Sequence, residues 1–298
     1  MNRPSVDVAV VMRNEAEHLP ALIDGLRALD YPPEKLRFLF ADNASTDDSP
    51  ALARSLLAGL DATIVRFPRN LGFAGAYARL LVHCTGEMLA LINADAKPDR
   101  RWLRALVERM RRDDDAGVCE SRQSPIELDK PFDADTGETS WCSAGGMLIR
   151  RRALDEVGFF DPAFFIDFED VDLCWRMWLS GWRCVYVPDS VYEHYGPAEE
   201  GDSSSLPPER RLCRVRNRWF MSLIYGSARD VLGSTAAMLA PRRLLSGPTF
   251  AIGALAAFGQ ALHLLGRRRA LRGRRSPWVD LDKMSVGVKR RADTDEPG

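Results

Sequence analysis

The stretch Glu87–Asp95, EMLALINAD, decides how the rest of the chain is read. Its apolar run lacks the spacing of one helical face and is too short for a buried helix. It therefore predicts a strand over Glu87 to Ile92, buried on both sides. Asn93-Ala94-Asp95 follows at once and puts polar side chains just beyond the strand's carboxyl end. Upstream, Val6 to Met12 (VDVAVVM), Arg37 to Ala41 (RFLFA) and Thr63 to Phe67 read as three further strands. Between them lie helical faces, one through Leu19, Leu22, Ile23, Leu26 and Leu29 and one through Leu52, Leu56, Leu57 and Leu60. Pro32 and Pro33 close the first helix, and Asp42 to Asp47 supplies cap residues ahead of the second. Asn70 to Gly75 opens a third helix. Strands alternating with helices predict an α/β, doubly wound and mostly parallel sheet, whose ligands lie outside the carboxyl ends of its strands. Asp42, Asp95 and the run Arg13-Asn14-Glu15 stand at three such ends. Neither GxGxxG nor GxxxxGK[ST] occurs in these loops, so neither a dinucleotide fold nor a P-loop is supported.

Beyond Asp95, Trp102, Leu103, Leu106, Val107 and Met110 mark another helix. Gln123 to Ser140 is polar and turn-rich and is expected to be a mobile loop over the site. Trp141 to Arg150 is strand-like, with Gly145 and Gly146 allowing close backbone approach. The segment Gly158 to Gly181 starts as an aromatic loop and becomes a helix with Val171, Cys174, Trp175, Trp178 and Leu179 on one face. Asp167, Glu169, Asp170 and Asp172 crowd its start among Phe164, Phe165, Ile166 and Phe168. Acids in a first turn complement the helix dipole. Carboxylates held among aromatics are also desolvated, which raises their pKa and suits general-base work. Both readings stand at this point. A strand at Cys184 to Val187, a polar loop containing His194 and a basic, aromatic helix at Arg211 to Tyr225 complete the pattern.

With 46% hydrophobic and 28% charged residues and a net charge of -1, the chain can bury a sizeable core and has no global field to draw nucleic acid. The six cysteines form no CxxC pair and show no metal-ligand spacing, as expected for reduced core thiols in a cytosolic protein. The amino terminus runs directly into a strand and resembles no secretory leader. Leu244 to Leu265 has no charged residue and is flanked by arginines. It reads either as a segment lying on an anionic membrane surface or as a helix packed on the main domain. From about Asp280 the composition predicts a disordered tail.

Four motifs, in order, resemble family 2 glycosyltransferases, most closely the bacterial rhamnosyltransferase-like branch. They are DNASTDDS (Asp42–Ser49), NLGFAGA (Asn70–Ala76), LINADAKPD (Leu91–Asp99) and GFFDPAFFIDFEDVDLCWRMWLSGW (Gly158–Trp182), and the resemblance covers roughly residues 6 to 225. It implies a GT-A fold over 1–225, with a nucleotide-sugar half (1–121) and an acceptor half (122–225). A helical, membrane-associating extension (226–279) and the tail (280–298) would follow. It also implies an inverting transfer of a sugar, rhamnose among the candidates, from a nucleoside-diphosphate donor to a glycan or lipid-linked glycan, with Mg²⁺ or Mn²⁺ as cofactor. Cell-surface polysaccharide or glycolipid biosynthesis on the inner face of the membrane would be the setting.

Carried onto this chain, the resemblance places Asp42 and Glu15 at the base or ribose. Arg13, Asn43, Asn70, Gly72, Phe73 and Asn93 join them in nucleotide-sugar binding. Asn93-Ala94-Asp95 takes the place of the family's DxD, leaving Asp95 as the one anionic metal ligand there. His194 reaches metal or diphosphate, and Asp170 is the catalytic base with Glu169 its neighbour. A carboxylate for the metal and another for the acceptor hydroxyl are the least such chemistry requires. Two alternatives carry less support. A processive synthase needs QxxRW, of which Val215 to Trp219 (VRNRW) keeps only the RW, and a non-catalytic relative would not need the acids at 95, 169 and 170.

Overall fold

A computed structural model describes residues 3–196, 206–239, 259–284 and the backbone of 287–290. Four strands expected from sequence form as β1 (Val6–Met12), β2 (Leu36–Asp42), β3 (Ala62–Arg66) and β4 (Met88–Ile92), mutually parallel in the order β3-β2-β1-β4. The sheet continues through β5 (Ala96–Pro98), β6 (Ala116–Ser124), β8 (Gly146–Arg150) and β9 (Arg183–His194), giving eight strands in the order β3-β2-β1-β4-β8-β6-β9-β5. β8 runs antiparallel to β4 and β6, so the first and second halves of the domain share one sheet. Helices α1 (Leu19–Arg27), α2 (Ser49–Leu56), α3 (Gly72–Leu80), α4 (Trp102–Arg112), α5 (Arg151–Val157), α6 (Glu169–Leu179), α7 (Pro208–Tyr225) and α8 (Ala228–Leu239) flank it.

Strand alternation divides the core between the two faces. Val6, Val8, Val10 and Met12 of β1 pack with Leu22, Ile23 and Leu26 of α1 and Trp102 and Leu106 of α4. Ala9 faces the other way, where its small side chain leaves room for Tyr77, Trp175 and Phe220 of α3, α6 and α7.

Several elements differ from the sequence reading. β9 continues to His194, which therefore ends a strand instead of sitting in a loop. Opposite Ser121 and Arg122 it holds Val187 and Val191, so Pro188 to Ser190 bulge out and hide the strand's period. Within Gln123 to Ser140, β7 (Ile126–Asp129) pairs antiparallel with β10 (Gly287–Arg290), and Lys130 is buried on Glu120. Leu281–Met284 forms a 3-10 helix with Met284 buried, so residues 281–284 and 287–290 are built into the fold and are not a disordered tail. The part of that tail after Arg290, and residues 244–258 of the uncharged run, lie outside the described residues.

The remainder of the uncharged run belongs to a final helix, Ala261–Ala270, which docks on the domain. Leu264 is fully buried there. Arg267 donates to Asp161 Oδ2 (3.0 Å) and to Asp172 Oδ1 (2.7 Å), while His263 Nε2 lies 2.8 Å from Asp161 Oδ2. Asp172 is inaccessible to solvent and also accepts from Arg176 (3.1 Å) and the Tyr225 hydroxyl (2.9 Å). Among the described residues no helix is long and apolar enough to cross a membrane. Removing one partner of a buried ion pair leaves the other charge uncompensated. Arg267→Ala is therefore expected to cost about 3 kcal/mol in urea unfolding, whereas Leu262→Ala, at a position 84% exposed, should stay within ~0.5 kcal/mol of the parent.

Candidate active site

The first wall of the site is built at the carboxyl ends of β1 and β2. Asn14 takes a left-handed conformation (φ 59°), from which its Oδ1 accepts Thr46 N at 2.8 Å and its own N–H donates to Ser45 Oγ at 3.0 Å. Glu15 N donates to Ser49 Oγ (2.8 Å), so the two loops are laced together. Asp42 is fully buried, and its Oδ1 accepts Ser45 N at 2.9 Å. Its Oδ2 has Arg66 Nε at 3.1 Å but no aligned hydrogen bond, leaving a buried acceptor ready for an incoming N–H or O–H. Arg13 is exposed beside this wall. Glu15 is half-buried and burial raises its carboxyl, partly offset by the contact with His18 Nδ1 at 2.9 Å.

Asn43 and Asn70 work on the loop that follows β3. Asn70 Oδ1 accepts Asn43 Nδ2 and Gly72 N, both at 2.9 Å, and Asn43 Oδ1 accepts Leu71 N at 2.8 Å. Both amides therefore hold the chain at Gly72, whose φ is +73°. A Cβ there would lie 2.4 Å from the Phe165 carbonyl oxygen. Next to it Ala74 N donates to that same oxygen at 3.1 Å, tying the loop after β3 to the loop before α6. Phe73 packs on Tyr77 and Phe160, with ring centroids 4.7 and 6.1 Å away.

At the end of β4, Asp95 meets the end of β9. His194 Nε2 lies 3.3 Å from Asp95 Oδ1 and 3.4 Å from Asn93 Nδ2. Burial raises the Asp95 carboxyl, but the hydrogen bond and charge of His194 outweigh it and hold the group below its ordinary range. Gly196 passes so close that a Cβ would stand 2.4 Å from Asp95 Oδ2. A carboxylate and an imidazole facing one another here are donor types that suit a divalent cation, while Asn93 turns its amide nitrogen toward the imidazole.

The carboxylates at the start of α6 behave differently. Asp170 Oδ1 accepts Val171 N (2.8 Å), and Oδ2 accepts Ala144 N (3.2 Å). Burial pushes its carboxyl up to about 7, against the pull of those two amides. Glu169 is more deeply buried, at 4% exposure, and burial with the adjacent Asp170 charge raises it well above the usual carboxylate range. Its Oε2 has no hydrogen-bond partner among the described residues. The two carboxylate regions meet through one turn, because Asn93 N donates to Gly145 O (3.1 Å) next to Ala144.

Three contributions were not legible beforehand. The amide of Ala144 reaches Asp170 only through a turn folded 26 residues away. Asn217 Nδ2 donates to the carbonyls of Phe164, Ile166 and Asp167 at 2.7–2.8 Å. Arg210 grips Asp167 at 2.9 and 3.2 Å. The one sequence signal was the glycine pair, since a Cβ at Gly146 would strike the Tyr192 ring at 2.5 Å.

Comparison with known proteins gives this site its class. The model for glycosyl transferase family 2 matches residues 7–166, and that for glycosyl transferase family group 2 matches residues 125–271. The chain belongs to glycosyltransferase family 2. Relatives include the pre-mycofactocin glycosyltransferase of Mycobacterium tuberculosis, 28% identical over an alignment of 208 residues that covers 63% of this chain and 42% of that protein. Another is the N-acetylglucosaminyl-diphospho-decaprenol L-rhamnosyltransferase of the same organism, 27% identical over 243 residues (63% of this chain, 75% of that protein). The chain thus spans less than half the length of the first curated relatives it matches. The mannosyltransferase PcManGT from Pyrobaculum calidifontis, in complex with GDP-Man and Mn²⁺, superposes with a TM-score of 0.62 at 22% identity, covering 91% of this chain and 86% of that one. GalNAc-T7 with UDP, GalNAc and Mn²⁺ superposes at 0.70 with 14% identity, over 93% of this chain and 56% of that one. The fold is that of GT-A glycosyltransferases.

Gly72 offers a direct check on the wall. Gly72→Ala places a Cβ both in a left-handed backbone and against the Phe165 carbonyl, and the backbone term alone costs ~1–3 kcal/mol. Chemical denaturation should show at least that loss, and nucleotide affinity measured by calorimetry should fall with it.

Proposed function

We propose that this chain is an inverting glycosyltransferase that moves a sugar, rhamnose among the candidates, from a nucleoside-diphosphate donor to a hydroxyl of a glycan or lipid-linked glycan. The observation that carries the reading is a pair of carboxylates at one end of the sheet with opposite tuning. His194 holds Asp95 below its ordinary range, and burial raises Asp170 to about 7. The two are joined through the turn at Ala144 and Gly145, and opposed tuning would suit one group to charge binding and the other to proton transfer.

Asp42, Glu15 and Arg13 would receive the nucleotide, with Asn43, Asn70, Gly72 and Phe73 shaping the loop beneath it. Asp95 and His194 would hold Mg²⁺ or Mn²⁺, with Asn93 beside them at the nucleotide sugar. That cation, when bound, neutralises the charge that grows on the leaving diphosphate. Asp170 would take the proton of the acceptor hydroxyl as its oxygen attacks the anomeric carbon from the face opposite the diphosphate. A single base and a single displacement give inversion. Glu169 would stay protonated next to it and orient the acceptor by donating a hydrogen bond. The relatives' printed activities support a setting in bacterial glycan biosynthesis. The likeness of PcManGT and GalNAc-T7, both solved with Mn²⁺, supports a divalent cofactor.

A panel of nucleotide sugars followed by mass spectrometry, with and without Mg²⁺ or Mn²⁺, tests the activity; no turnover of any donor would favour a non-catalytic binding role. Asp95→Ala should abolish the metal-dependent part of donor binding while the far-UV spectrum stays unchanged. Unaltered affinity in the presence of metal would count against the assignment. Asp170→Asn should keep donor binding and lose ~10²–10⁴-fold in kcat, whereas Glu169→Gln should act mainly on acceptor KM. Because Asp170 works ionised, kcat/KM should rise with pH through about 7, and that limb should vanish in Asp170→Asn. The stability linkage has the opposite sign. A carboxyl raised from 3.8 to about 7 on folding keeps its proton in the folded state, so this group's contribution declines as pH climbs across that interval.

Attachment to an anionic membrane surface at the cytoplasmic face is also proposed for the C-terminal extension. Leu262 and Leu265 are exposed on the final helix, close in sequence to Arg268 and Arg269. Full-length protein should float with anionic liposomes, and protein ending at Tyr225 should not.

A further inference from the structure

The six cysteines show no metal-binding spacing along the chain, yet the fold gathers three of them. Cys142 precedes β8, Cys174 lies in α6 and Cys184 opens β9, so each is fixed by a different element. All three are fully buried, and their sulfurs lie within 4.8 Å of one another. A three-coordinate thiolate site with metal–sulfur bonds of ~2.3 Å spaces its sulfurs ~4 Å apart, so little movement separates this cluster from a closed site. We propose that Cys142, Cys174 and Cys184 form a three-thiolate site for a soft, thiophilic cation, with copper(I) the ion this donor set favours.

Two features distinguish the cluster from thiols used only as small apolar fillers. The backbone N–H of Cys142 points at Cys174 Sγ at 3.2 Å, a hydrogen bond that supports charge on sulfur. In contrast, the contacts of the thiols with carbonyl oxygens of Cys142, Cys174 and Val185 are long, at 3.6–4.0 Å. The second feature is Lys130. Its ammonium is buried, bonded to Glu120 and to the Trp141 carbonyl, and its positive charge acts on the cluster. Three thiolates around one monovalent ion keep excess negative charge; Lys130 draws that charge while also paired with Glu120, and burial pushes the metal-free Cys142 and Cys184 thiols up, so the ion itself must displace their protons. Loading would release the thiol protons to solvent. The ligands are sulfur only, so hard cations that suit Asp95 and His194 would not compete. The cluster adjoins the Asp170 end of the site, since Cys174 lies one turn beyond Asp170 in α6 and Cys142 two residues before Ala144, but it uses none of the residues proposed for the transfer.

The test uses the full chain, reduced and stripped of metal, with excess Mg²⁺ present to occupy carboxylate sites. Cadmium(II) is the spectroscopic probe, offered to the folded protein and, separately, during refolding. One equivalent should produce saturable thiolate-to-metal ultraviolet absorption, and one equivalent of copper(I) should displace it. The band should weaken by about a third in Cys142→Ala and in Cys184→Ala, since each removes one sulfur of three, and stay unchanged in Cys213→Ser. If the variants fold poorly, the ¹¹³Cd resonance of the parent protein decides, because its position reports the number of bound sulfurs. Absence of the band by both loading routes, a resonance typical of oxygen ligands, or a band indifferent to Cys142→Ala and Cys184→Ala would overturn the proposal.

Discussion

The carbonyl oxygen of Phe165 is the point on which the site depends. It accepts the amide of Ala74 and leaves no space for a side chain at Gly72, so the loop before α6 rests directly on the loop after β3. To bring that oxygen there, Phe165, Asp167 and Phe168 all adopt positive φ, a costly arrangement of ~1–3 kcal/mol each for residues with a side chain. The opposing energy comes from polar groups aimed at the same loop. Asn217 satisfies three of its carbonyls, Arg216 bonds the Phe164 oxygen, and Asp161 caps its first turn through Ala163 N. The strain is thus held in place by its surroundings, and α6 begins with its two acids beside the turn that carries Ala144.

Environment, more than residue type, separates the roles of the acids. Asp95 has an imidazole within reach and Asp172 has two guanidiniums, and both lie below the ordinary carboxylate range. Among the described residues Asp170 and Glu169 have no such cation in an ion pair, and burial raises both against the weaker pull of Lys130 and Arg210. The final helix enters this balance from a distance. Its Arg267 joins Asp161, where the acceptor loop starts, to Asp172, just past the two raised acids. The C-terminal extension therefore belongs to the support of the site.

What could be read from sequence follows from range. β1 to β4 are continuous apolar runs whose character is local, and all four form as expected. The GT-A fold and family were legible because four motifs retain their order, and the polar strand ends do carry Glu15, Asp42 and Asp95. α5 escaped notice because seven residues, Arg151 to Val157, give too little periodicity. β9 was cut short by Pro188-Asp189-Ser190, which bulge away from β6 while Ser190 turns inward to the Trp102 carbonyl. β10 answers a strand more than 150 residues earlier, a pairing no local pattern records. The same limit hid the Glu120–Lys130 pair and the three converging cysteines, whose partners are set by the sheet.

The proposed transfer is a single displacement driven by one base, Asp170, against a donor held near Asp95. The most direct measurement is the anomeric configuration of the first product formed, read by proton NMR before the sugar can equilibrate. Inversion relative to the donor is the predicted result. Retention would require a second displacement or a different attacking face, and would contradict the assignment.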